Sequence, residues 1–389
     1  MIRKCLLRPN SSKYRIEPSQ DDMTVAGVFN PGAVRVGKKI YLLVRVAEGL
    51  KRPAQDKKHI VFPRAVTGCR RQPESGYRIE PMEKRAADYV KVDNRGYKTK
   101  REGWTLLTSI SHFRLVKVEL DSAGKVTSLD ISDEPTFYPE EDYEAYGIED
   151  ARITKIEVAP DEWWYYITYV AVSPHGVVTA LARTQDFVVF ERLGIIFPVE
   201  NKDVVLFPKG EGNRPYRVLH RPLAAYPYGP IEMWLAESPD LSHWGNNLPL
   251  GLDGDFLQPD TQEASSVTRP RVLRVGAGTP PVPYDEHGHW LEIYHAALSD
   301  SDDDHIGRYC ALAVVLDRDW PHSVHRAARR ILFEAEEEFE TQGFVPNVVF
   351  PTGVVKEGDD YIIFYGAADE NVGMAVISRQ EIEDSLVQR

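Results

Sequence analysis

Cysteine is scarce in this chain: only Cys5, Cys69 and Cys310 occur among its 389 residues. Three scattered cysteines exclude a disulfide framework and a cysteine-ligated zinc site, and the odd number suits a reducing compartment. The sequence also lacks a run of eighteen apolar residues, which excludes a transmembrane helix. The N-terminal stretch does not contain the apolar segment of a signal peptide. We therefore predict a cytoplasmic protein with no membrane partner.

Positive charge is in deficit. Lys and Arg number 47 against 59 Asp and Glu, a formal net charge of -12. Nucleic-acid binding needs a basic face that would have to overcome this field, so we expect no nucleic-acid partner. Small neutral ligands, or anions attracted by a local group of cations, remain as the expected partners.

Long amphipathic helical patterns are missing, apart from a short one near the end of the chain. Five aromatic and β-branched runs predict strands instead, and several are followed by a second, shorter strand. The five runs span 38–49, 162–173, 230–238, 289–299 and 360–369. Five strand units with hairpin partners predict an all-β fold, a five-bladed β-propeller that forms one domain over 1–389. The sheets of a propeller converge on a central cavity, where loop ends supply the chemistry.

Residues 51–104 interrupt this rhythm because they are polar, rich in Lys and Arg, and contain few core-forming runs. We interpret them as an insertion between two strands of one blade. Three roles are open for it: a lid over the cavity, an arm that joins copies in a homo-oligomer, or a mobile surface loop.

Six segments together resemble one known family. In chain order they are "VFNPGAVRVGKKIYLLVRV", "GIEDARIT", "NKDVVLFPKGEGNRPYRVLHRP", "RVGAGTPP", "YHAAL" and "GFVPNVVFPTGVV" with the following "YIIFYGAADENVGMA". In this order they are similar to the β-mannoside phosphorylases of glycoside hydrolase family 130, from about Val28 to Ile377 without the insertion.

The resemblance implies a five-bladed β-propeller and inverting cleavage of β-mannosides, by phosphate in most branches and by water in some. The expected substrates are β-1,4-mannosyl-glucose or manno-oligosaccharides, and the expected product is α-mannose 1-phosphate. Asp150 matches the catalytic acid of the family, which is thought to act through a hydroxyl of the bound sugar. Inorganic phosphate would be the co-substrate, and no other cofactor is expected.

The expected chemistry also requires a group of side chains that donate hydrogen bonds to phosphate. Phosphate is a ready-made nucleophile, so fixed cationic donors replace the second carboxylate that cleavage by water requires. Five candidates lie at predicted strand ends or turns: Arg45, His220, Arg221, Arg274 and His295. Four of them have a structural alternative: Arg45 could pair with a structural acid, His220 and Arg221 could bind backbone carbonyls, and His295 could be a core histidine.

Asp150 presents a conflict between its role and its neighbours. An acid that protonates a glycosidic oxygen near neutral pH must hold its proton, yet the nearby Arg152 lowers a carboxylate's pKa. Relay through a sugar hydroxyl and desolvation by the bound sugar would resolve the conflict. We predict Arg152 as an orienting cation and Glu149 as a structural or sugar-contacting acid. Asn30 and Asp369 are the candidates for contacts to mannose hydroxyls, with turn capping as their alternative.

Two departures from the family pattern keep other functions open. Arg274 stands where phosphate-binding relatives tend to have Lys, and Glu200 stands where some have a basic residue. A hydrolase could use Glu200 as the base for water beside Asp150. A non-catalytic sugar-binding propeller is a second alternative, and the five-bladed furanosidases are a fold-level one. We predict no metal site, because "DSDDDH" at 300–305 lacks the EF-hand spacing and "EHGH" at 286–289 is expected to be an exposed turn.

Overall fold

The computed structural model describes residues 1–51, 58–71, 76–121, 124–208, 214–223, 229, 231–252, 270–301 and 306–388. Within these ranges the α-helices are two, α1 (Glu338–Thr341) and α2 (Arg379–Ser385), and short 3-10 helices cover Gly68–Arg70, Ala86–Asp88 and Asp142–Glu144. Nearly all other regular structure is β-strand, which confirms the predicted all-β class. No helix in the described ranges is both long and apolar enough to cross a membrane.

Five antiparallel sheets of at least four strands follow one another along the chain, and we number them I to V. Sheet I contains β2 (Met23–Val36), β3 (Lys39–Leu50), β9 (Ser109–Leu120) and β10 (Val126–Ile131). Sheet II contains β11 (Ile148–Ala159), β12 (Glu162–Ser173), β13 (Gly176–Thr184) and β14 (Glu191–Phe197). Sheet III contains β15 (Asn201–Leu206), β16 (Tyr216–Pro222), β17 (Trp234–Ser238) and β18 (Gly245–Pro249).

Sheets IV and V complete the set. Sheet IV contains β19 (Arg271–Gly276), β20 (Val282–Pro283), β21 (Trp290–Ser299), β22 (Arg308–Leu316), β23 (Val324–Ala328), β24 (Phe333–Glu334) and β28 (Leu386–Gln388). Sheet V contains β25 (Val349–Glu357), β26 (Asp360–Ala367), β27 (Asn371–Ser378) and, from the other end of the chain, β1 (Ile2–Leu7). The five runs predicted as strands correspond to β3, β12, β17, β21 and β26, one in each sheet.

The buried apolar residues form one core between each pair of consecutive sheets. Residues that share a core are Phe113 and Ile153 for sheets I and II, Leu181 and Val204 for II and III, Leu219 and Tyr294 for III and IV, and Ile293 and Ile363 for IV and V. A further core joins sheet V to sheet I, with Phe364 beside Val44. Each sheet thus packs on its two neighbours, and the last packs on the first.

The first strand of the chain reinforces this cycle. Strand β1 pairs antiparallel with β27, with Ile2 opposite Val376 and Leu7 opposite Val372. Leu6 and Leu7 are buried in the core between sheets V and I. The first strand of the chain is therefore held beside β27 in sheet V, where separating the two strands would expose apolar surface to water.

The insertion forms two small sheets of its own. It leaves sheet I after β3 and returns at β9, and these two strands pair directly, with Arg45 opposite Phe113. Its strands are β4 (His59–Ala65) and β5 (Ile79–Arg85), then β6 (Tyr89–Lys91), β7 (Gly96–Thr99) and β8 (Thr105–Leu107). Ala65 and Ile79 are buried against Met23 and Ile110 of sheet I. The described part of the insertion is thus anchored to the body.

Candidate active site

A cavity of about 440 Å³ receives residues from all five sheets and from the insertion. Each sheet supplies the cavity from a different part of the sequence. The polar and aromatic lining residues include Asn30 and Arg45 of sheet I, Glu149 and Asp150 of sheet II, Lys202 of sheet III, Tyr309 of sheet IV, Phe350 of sheet V, Asp369 in the turn after β26, and Asp93, Arg95 and Lys98 of the insertion. The cavity therefore gathers side chains that are remote in sequence, as the predicted central cavity requires.

Asp150 lies in an irregular part of strand β11. The pairing with β12 shifts register between Glu149 and Arg152, and Asp150 adopts a left-handed backbone with φ of 53°. Only a small minority of residues other than glycine adopt this conformation, and Asp and Asn tolerate it best. Asp150 is 6% exposed and lines the cavity. The irregular backbone thus breaks the strand's regular alternation at the predicted acid.

Two donors hold the Asp150 carboxylate. Nδ2 of Asn30 and Nη1 of Arg45 both donate to Oδ1 of Asp150, at 2.8 and 2.9 Å. Arg45 also donates from Nη2 to Oε1 of Glu149 at 2.7 Å and from Nε to Oγ of Ser111 at 3.0 Å. Its guanidinium lies 4.6 Å from the centroid of the Phe29 ring. Asn30, Arg45, Glu149 and Asp150 therefore form one fixed group on the cavity wall.

The charges around Asp150 favour its ionised form. Burial opposes ionisation, but the charges of Arg45, Arg152 and Lys202 and the hydrogen bond from Asn30 lower the pKa of Asp150 below its ordinary value. The conflict between the acid role and the neighbouring cations is therefore present in the folded protein. Protonation of a leaving oxygen then depends on bound sugar or on a relay.

Asp369 has the opposite electrostatic environment. Its pKa is raised to about 6, mainly by burial. The negative charges of Asp150 and Glu149 contribute to the rise, and Arg45 and Arg95 oppose it. Its backbone is left-handed with φ of 50°, and it lines the cavity at the edge of sheet V. A carboxylate in this position can accept hydrogen bonds from sugar hydroxyls once it is ionised.

Arg152 orients the backbone of Asp150 rather than its carboxylate. It donates from Nη1 to the carbonyl oxygen of Asp150 at 2.6 Å and from Nε to the carbonyl oxygen of Gly278 at 2.5 Å. Its guanidinium is buried and lies 5.4 Å from the centroid of Phe350, which lines the cavity. The predicted orienting role thus has a geometric basis through the Asp150 main chain.

Arg221 and His295 meet at a carboxylate that the sequence reasoning missed, Asp203. Nη2 of Arg221 lies 3.0 Å and Nε2 of His295 lies 3.4 Å from Oδ2 of Asp203, and all three side chains are buried. Burial opposes ionisation of Asp203, but Arg221 and His295 lower its pKa far below its ordinary value. Burial lowers the pKa of His295 to about 4, although the Asp203 charge opposes this shift. Arg221, His295 and Asp203 do not belong to the cavity lining.

Glycine makes room for this buried pair. A Cβ atom at Gly276 would lie 2.6 Å from Oδ2 of Asp203 and 2.8 Å from Nε2 of His295. Such contacts are too close for any side chain, so the "RVGAGTPP" segment needs glycine at this position.

His220 and Arg274 have partners other than Asp203. Nδ1 of His220 lies 2.9 Å from Nδ2 of Asn201, and its ring stacks on Phe197 at 4.5 Å. Burial lowers the pKa of His220 to about 4. Arg274 donates to the Tyr309 hydroxyl and to the carbonyl oxygen of Ile306, both at 2.8 Å. Of the five residues predicted to donate hydrogen bonds to phosphate, only Arg45 lines the cavity. Arg274 donates to the hydroxyl of Tyr309, which lines the cavity.

Lys202 is a cation on the cavity wall that the sequence analysis did not single out, as are Arg95 and Lys98 of the insertion. Lys202 precedes Asp203 in β15 and is paired in register with Arg221 of β16. A signal for this segment exists in the sequence. The first strands of sheets I, II and III each shift register beside an Asn or Asp with a left-handed backbone: Asn30, Asp150 and Asp203, with φ of 46°, 53° and 54°. "FNPG", "EDAR" and "KDVV" are thus three copies of one feature.

Glu200, the candidate base for water, is exposed and does not belong to the cavity lining. Within the described ranges, no group of three or more His, Cys, Asp or Glu side chains is arranged so that it could hold a metal ion. Residues 302–305 of the "DSDDDH" segment lie outside the described residues. His289 of "EHGH" pairs locally with Asp285, at 2.7 Å between Nδ1 and Oδ2.

Comparison with known proteins places this site in a family. The family model described as β-1,4-mannooligosaccharide phosphorylase matches residues 107–388. Among curated relatives, a β-1,2-mannobiose phosphorylase of Listeria innocua is 31% identical over 95% of this chain and 94% of its own. A 1,2-β-oligomannan phosphorylase of Thermoanaerobacter sp. is 32% identical over 64% of this chain and 75% of its own.

A solved structure extends the likeness to the fold. It is the β-1,2-mannobiose phosphorylase from Listeria innocua in complex with β-1,2-mannobiose, with a TM-score of 0.76, 30% sequence identity, and coverage of 95% of this chain and 94% of that one. The family model begins at residue 107, so it covers Asp150, Lys202, Asp203 and Asp369 but not the insertion. The chain therefore belongs to glycoside hydrolase family 130 and is an enzyme of the glycoside phosphorylase type that acts on mannosides.

Proposed function

We propose that the enzyme cleaves β-mannosides with inorganic phosphate, with inversion, and releases α-mannose 1-phosphate. The observation that carries the proposal is the cavity itself, where Asp150 lies beside Asn30, Arg45 and Asp369 on one wall and Lys202 stands on another. A phosphate oxygen forms the new bond to the anomeric carbon, the glycosidic carbon–oxygen bond breaks, and the leaving sugar oxygen takes up one proton. Asp150 is the source of that proton.

The sugar subsite supports the relay of this proton. Asn30 and Arg45 occupy Oδ1 of Asp150, so its other carboxyl oxygen remains for the substrate. Because the pKa of Asp150 is lowered, only its protonated form can act as the acid. That form passes its proton to a hydroxyl of the bound mannose while this hydroxyl gives its own proton to the leaving oxygen. The incoming hydrogen phosphate, which loses its proton as the ester forms, reprotonates Asp150. Asp369 accepts from a second hydroxyl of the same sugar.

The phosphate subsite relies on Lys202 and Arg45 in our proposal, with Arg221 and His295 supporting it from behind. Lys202 is adjacent in sequence to Asp203 and in register with Arg221, so its strand is held by the buried ion pair. A lysine held in this way offers a phosphate up to three donors and a full charge. Local positive charge of this kind is needed in a chain whose net charge is -12.

The names of the relatives favour β-1,2 over the β-1,4 linkage that the sequence analysis predicts. Both curated relatives above 30% identity are named for β-1,2-mannosides. We therefore propose β-1,2-mannobiose as the first substrate to test, with β-1,4-linked mannosides as the second.

The hydrolase alternative loses its proposed base. Cleavage by water needs a second carboxylate roughly 6.5 to 9.5 Å from the acid. Glu200 is exposed and outside the lining, while Glu149 is bound to Arg45. Of the other carboxylates on the cavity lining, Asp93 is bound to Arg95 at 2.7 Å. Asp369 would also be open to a hydrolase, and we assign it to the sugar.

For the fold we propose that the cycle of five sheets is a single five-bladed β-propeller domain. The pairing of β1 (residues 2–7) with β27 (residues 371–378) would close its ring. In this arrangement the insertion is a lid, because Asp93, Arg95 and Lys98 reach the cavity from strands β6–β8 and their connecting turn.

One assay separates the candidate functions. The enzyme is incubated with β-1,2-mannobiose, β-1,4-mannobiose or mannosyl-β-1,4-glucose, with and without phosphate, and mannose 1-phosphate and free mannose are quantified. Phosphate-dependent release of mannose 1-phosphate supports the proposal. Release of free mannose at full rate in phosphate-free buffer would identify a hydrolase, and no turnover with or without phosphate would favour sugar binding alone.

A further inference from the structure

A buried carboxyl group outside the cavity is connected to the catalytic acid by hydrogen bonds. Glu292 lies on β21 and is fully buried. Its Oε1 accepts a hydrogen bond of 2.8 Å from the backbone nitrogen of Gly278. Its Oε2 has no partner among the described residues. Burial of a carboxyl oxygen without a hydrogen-bond partner costs free energy, which calls for an explanation in terms of function.

The Gly278 peptide leads from Glu292 to Arg152. While its nitrogen donates to Glu292, its carbonyl oxygen accepts from Nε of Arg152 at 2.5 Å. The segment has no freedom to move elsewhere, because a Cβ at Gly278 would lie 2.2 Å from the carbonyl oxygen of Ile293 and 2.9 Å from Cγ of Pro351. Thr279 is also held, by a backbone hydrogen bond of 2.9 Å to Ile293.

Arg152 transmits this position to Asp150. Its Nη1 donates to the Asp150 carbonyl oxygen at 2.6 Å, in the part of β11 where the register with β12 is broken. The strand ladder does not hold Asp150 there, so Arg152 supplies the fixed contact for a residue in the left-handed conformation. A shift of Arg152 would therefore move the carboxylate relative to the sugar.

We infer that Glu292 is a positioning residue for Asp150, acting through the peptide of Gly278 and the guanidinium of Arg152. The inference rests on the proposed function, since Asp150 is the acid only if that proposal holds. Glu292 does not touch the cavity, so it acts on the rate of the chemical step and not on contacts with the substrate.

The charge state of Glu292 fits this role. Burial raises its pKa to about 8, with Arg152 opposing the shift and Asp203 adding to it. The titratable and charged groups facing this region are Arg152 of β11, Asp203 of β15 and the two partners of Asp203, Arg221 of β16 and His295 of β21. At neutral pH Glu292 is protonated and uncharged, which leaves Arg152 bonded to two carbonyl groups. An ionised Glu292 would attract the guanidinium through Nη2, which has no partner among the described residues, and would pull Nε and Nη1 away from those carbonyls.

Three variants test the inference. Glu292→Gln keeps an acceptor for Gly278 and resembles the protonated acid, whereas Glu292→Ala removes the acceptor. Glu340→Ala is the matched control: Glu340 is also fully buried and bound to backbone nitrogens and to the Tyr365 hydroxyl, but it lies away from the cavity. For each variant we would measure kcat, KM and the thermal midpoint, and solve crystal structures of the two Glu292 variants.

We expect Glu292→Ala to lower kcat by about 10- to 100-fold with KM for the mannoside within about threefold of wild type. Glu292→Gln should keep kcat at pH 7 within about threefold, and it should lack the additional fall above pH 8 that ionisation of Glu292 adds in the wild type to the limb set by Asp150. Glu340→Ala should lower the thermal midpoint without this split. The inference is overturned if Arg152 keeps both carbonyl contacts in the Glu292→Ala crystal structure, or if Glu292→Ala has wild-type kcat.

Two further outcomes are decided by the same set. If Glu292→Ala does not fold, the alkaline limbs of wild type and Glu292→Gln decide, and identical limbs overturn the inference. If the wild type releases no mannose 1-phosphate from any mannoside, the proposed function fails, while the crystallographic positions of Arg152 and Asp150 in the variants still support or overturn the positioning role.

Discussion

Nη1 of Arg45 donates to Oδ1 of Asp150 at 2.9 Å, across 105 positions of sequence and between sheets I and II. The same guanidinium also binds Glu149, at 2.7 Å. One arginine thus binds two adjacent acids, offsets one of their two charges, and holds the carboxylate of the predicted proton donor in place. In "GIEDARIT" the nearby Arg152 is the conspicuous partner for these acids, but in the folded protein it binds the main chain and the distant Arg45 binds the carboxylates.

Replacement of Arg45 should move the pH dependence of turnover. Because the Arg45 charge helps to lower the pKa of Asp150, Arg45→Met should raise that pKa and shift the alkaline limb of kcat to higher pH. Arg45→Lys keeps the charge without the fork of donors, so it should lower kcat with a smaller shift of the limb. The measurement is a pH profile of kcat for both variants; coincident limbs in Arg45→Met and wild type would contradict this account.

Asp150→Asn should lower kcat by about 10²- to 10⁴-fold, the range for loss of general acid catalysis. The amide oxygen can still accept from Asn30 and Arg45, so the thermal midpoint should change little. Glu149→Gln is the control, because it removes a charge bound to the same arginine but not the proton donor. If the two variants lose turnover equally, the charge around Arg45 and not the proton of Asp150 limits the rate.

Asp369 should make sugar binding sensitive to pH near 6. Its raised pKa of about 6 means that the carboxylate is present above that pH and is lost as the pH falls through it. KM for the mannoside should therefore rise between pH 7 and pH 5 in the wild type. Asp369→Asn should show a high KM that is flat over the same range, and a persisting pH dependence in this variant would assign the titration to another group.

The strands, and the place of Asp150 on the cavity lining, were predictable from sequence because their signals are local. β12 is one continuous run of aromatic and β-branched residues, and its pattern needs no partner to be recognised. Asp150 was found from its matching motif. The predicted strand at 230–238 is shorter in the structure, where β17 starts only at Trp234, because strand ends depend on pairing with neighbours.

The pairing of the buried cations was not predictable in the same way. His295 and Arg221 lie in strands β21 and β16, and their orientation depends on Asp203 in β15. A charge in a buried strand turns toward its counter-ion, because an unpaired buried charge costs several kcal/mol. In the structure, an Asn or Asp with a left-handed backbone recurs in the first strands of three sheets. This recurrence places Asp203 at the position equivalent to Asp150.

Arg221 should be more important for stability than its neighbour Arg217. Arg221→Met leaves the fully buried side chain of Asp203 without its closest cation and should cost about 3 to 5 kcal/mol of unfolding free energy. Arg217→Met is the control on the same strand, since Arg217 pairs with the partly exposed Glu237 at 2.9 Å and should cost about 1 kcal/mol or less. Urea denaturation at pH 7 measures both values. Restoration of stability by Asp203→Asn in the Arg221→Met background would confirm the cause, and equal costs for the two arginines would contradict it.

Lys202 and Glu200 should separate phosphorolysis from hydrolysis. Lys202 lines the cavity two positions after the exposed Glu200, so the two side chains test opposite functions from one short segment. A charge-assisted contact to phosphate is worth about 1.5 to 3 kcal/mol, so Lys202→Gln should raise KM for phosphate by about 10- to 150-fold. KM for the mannoside should change much less, because the neutral sugar does not need this charge.

Glu200→Gln should leave turnover and phosphate dependence as in the wild type, since its side chain lies outside the cavity lining. The two variants and the wild type are compared by initial rates at varied phosphate and fixed mannoside. A fall in turnover for Glu200→Gln, together with an unchanged KM for phosphate in Lys202→Gln, would move the base to Glu200 and make water the nucleophile. The reverse pattern would support phosphate as the nucleophile, because loss of the Lys202 charge would then weaken phosphate binding while Glu200 had no effect.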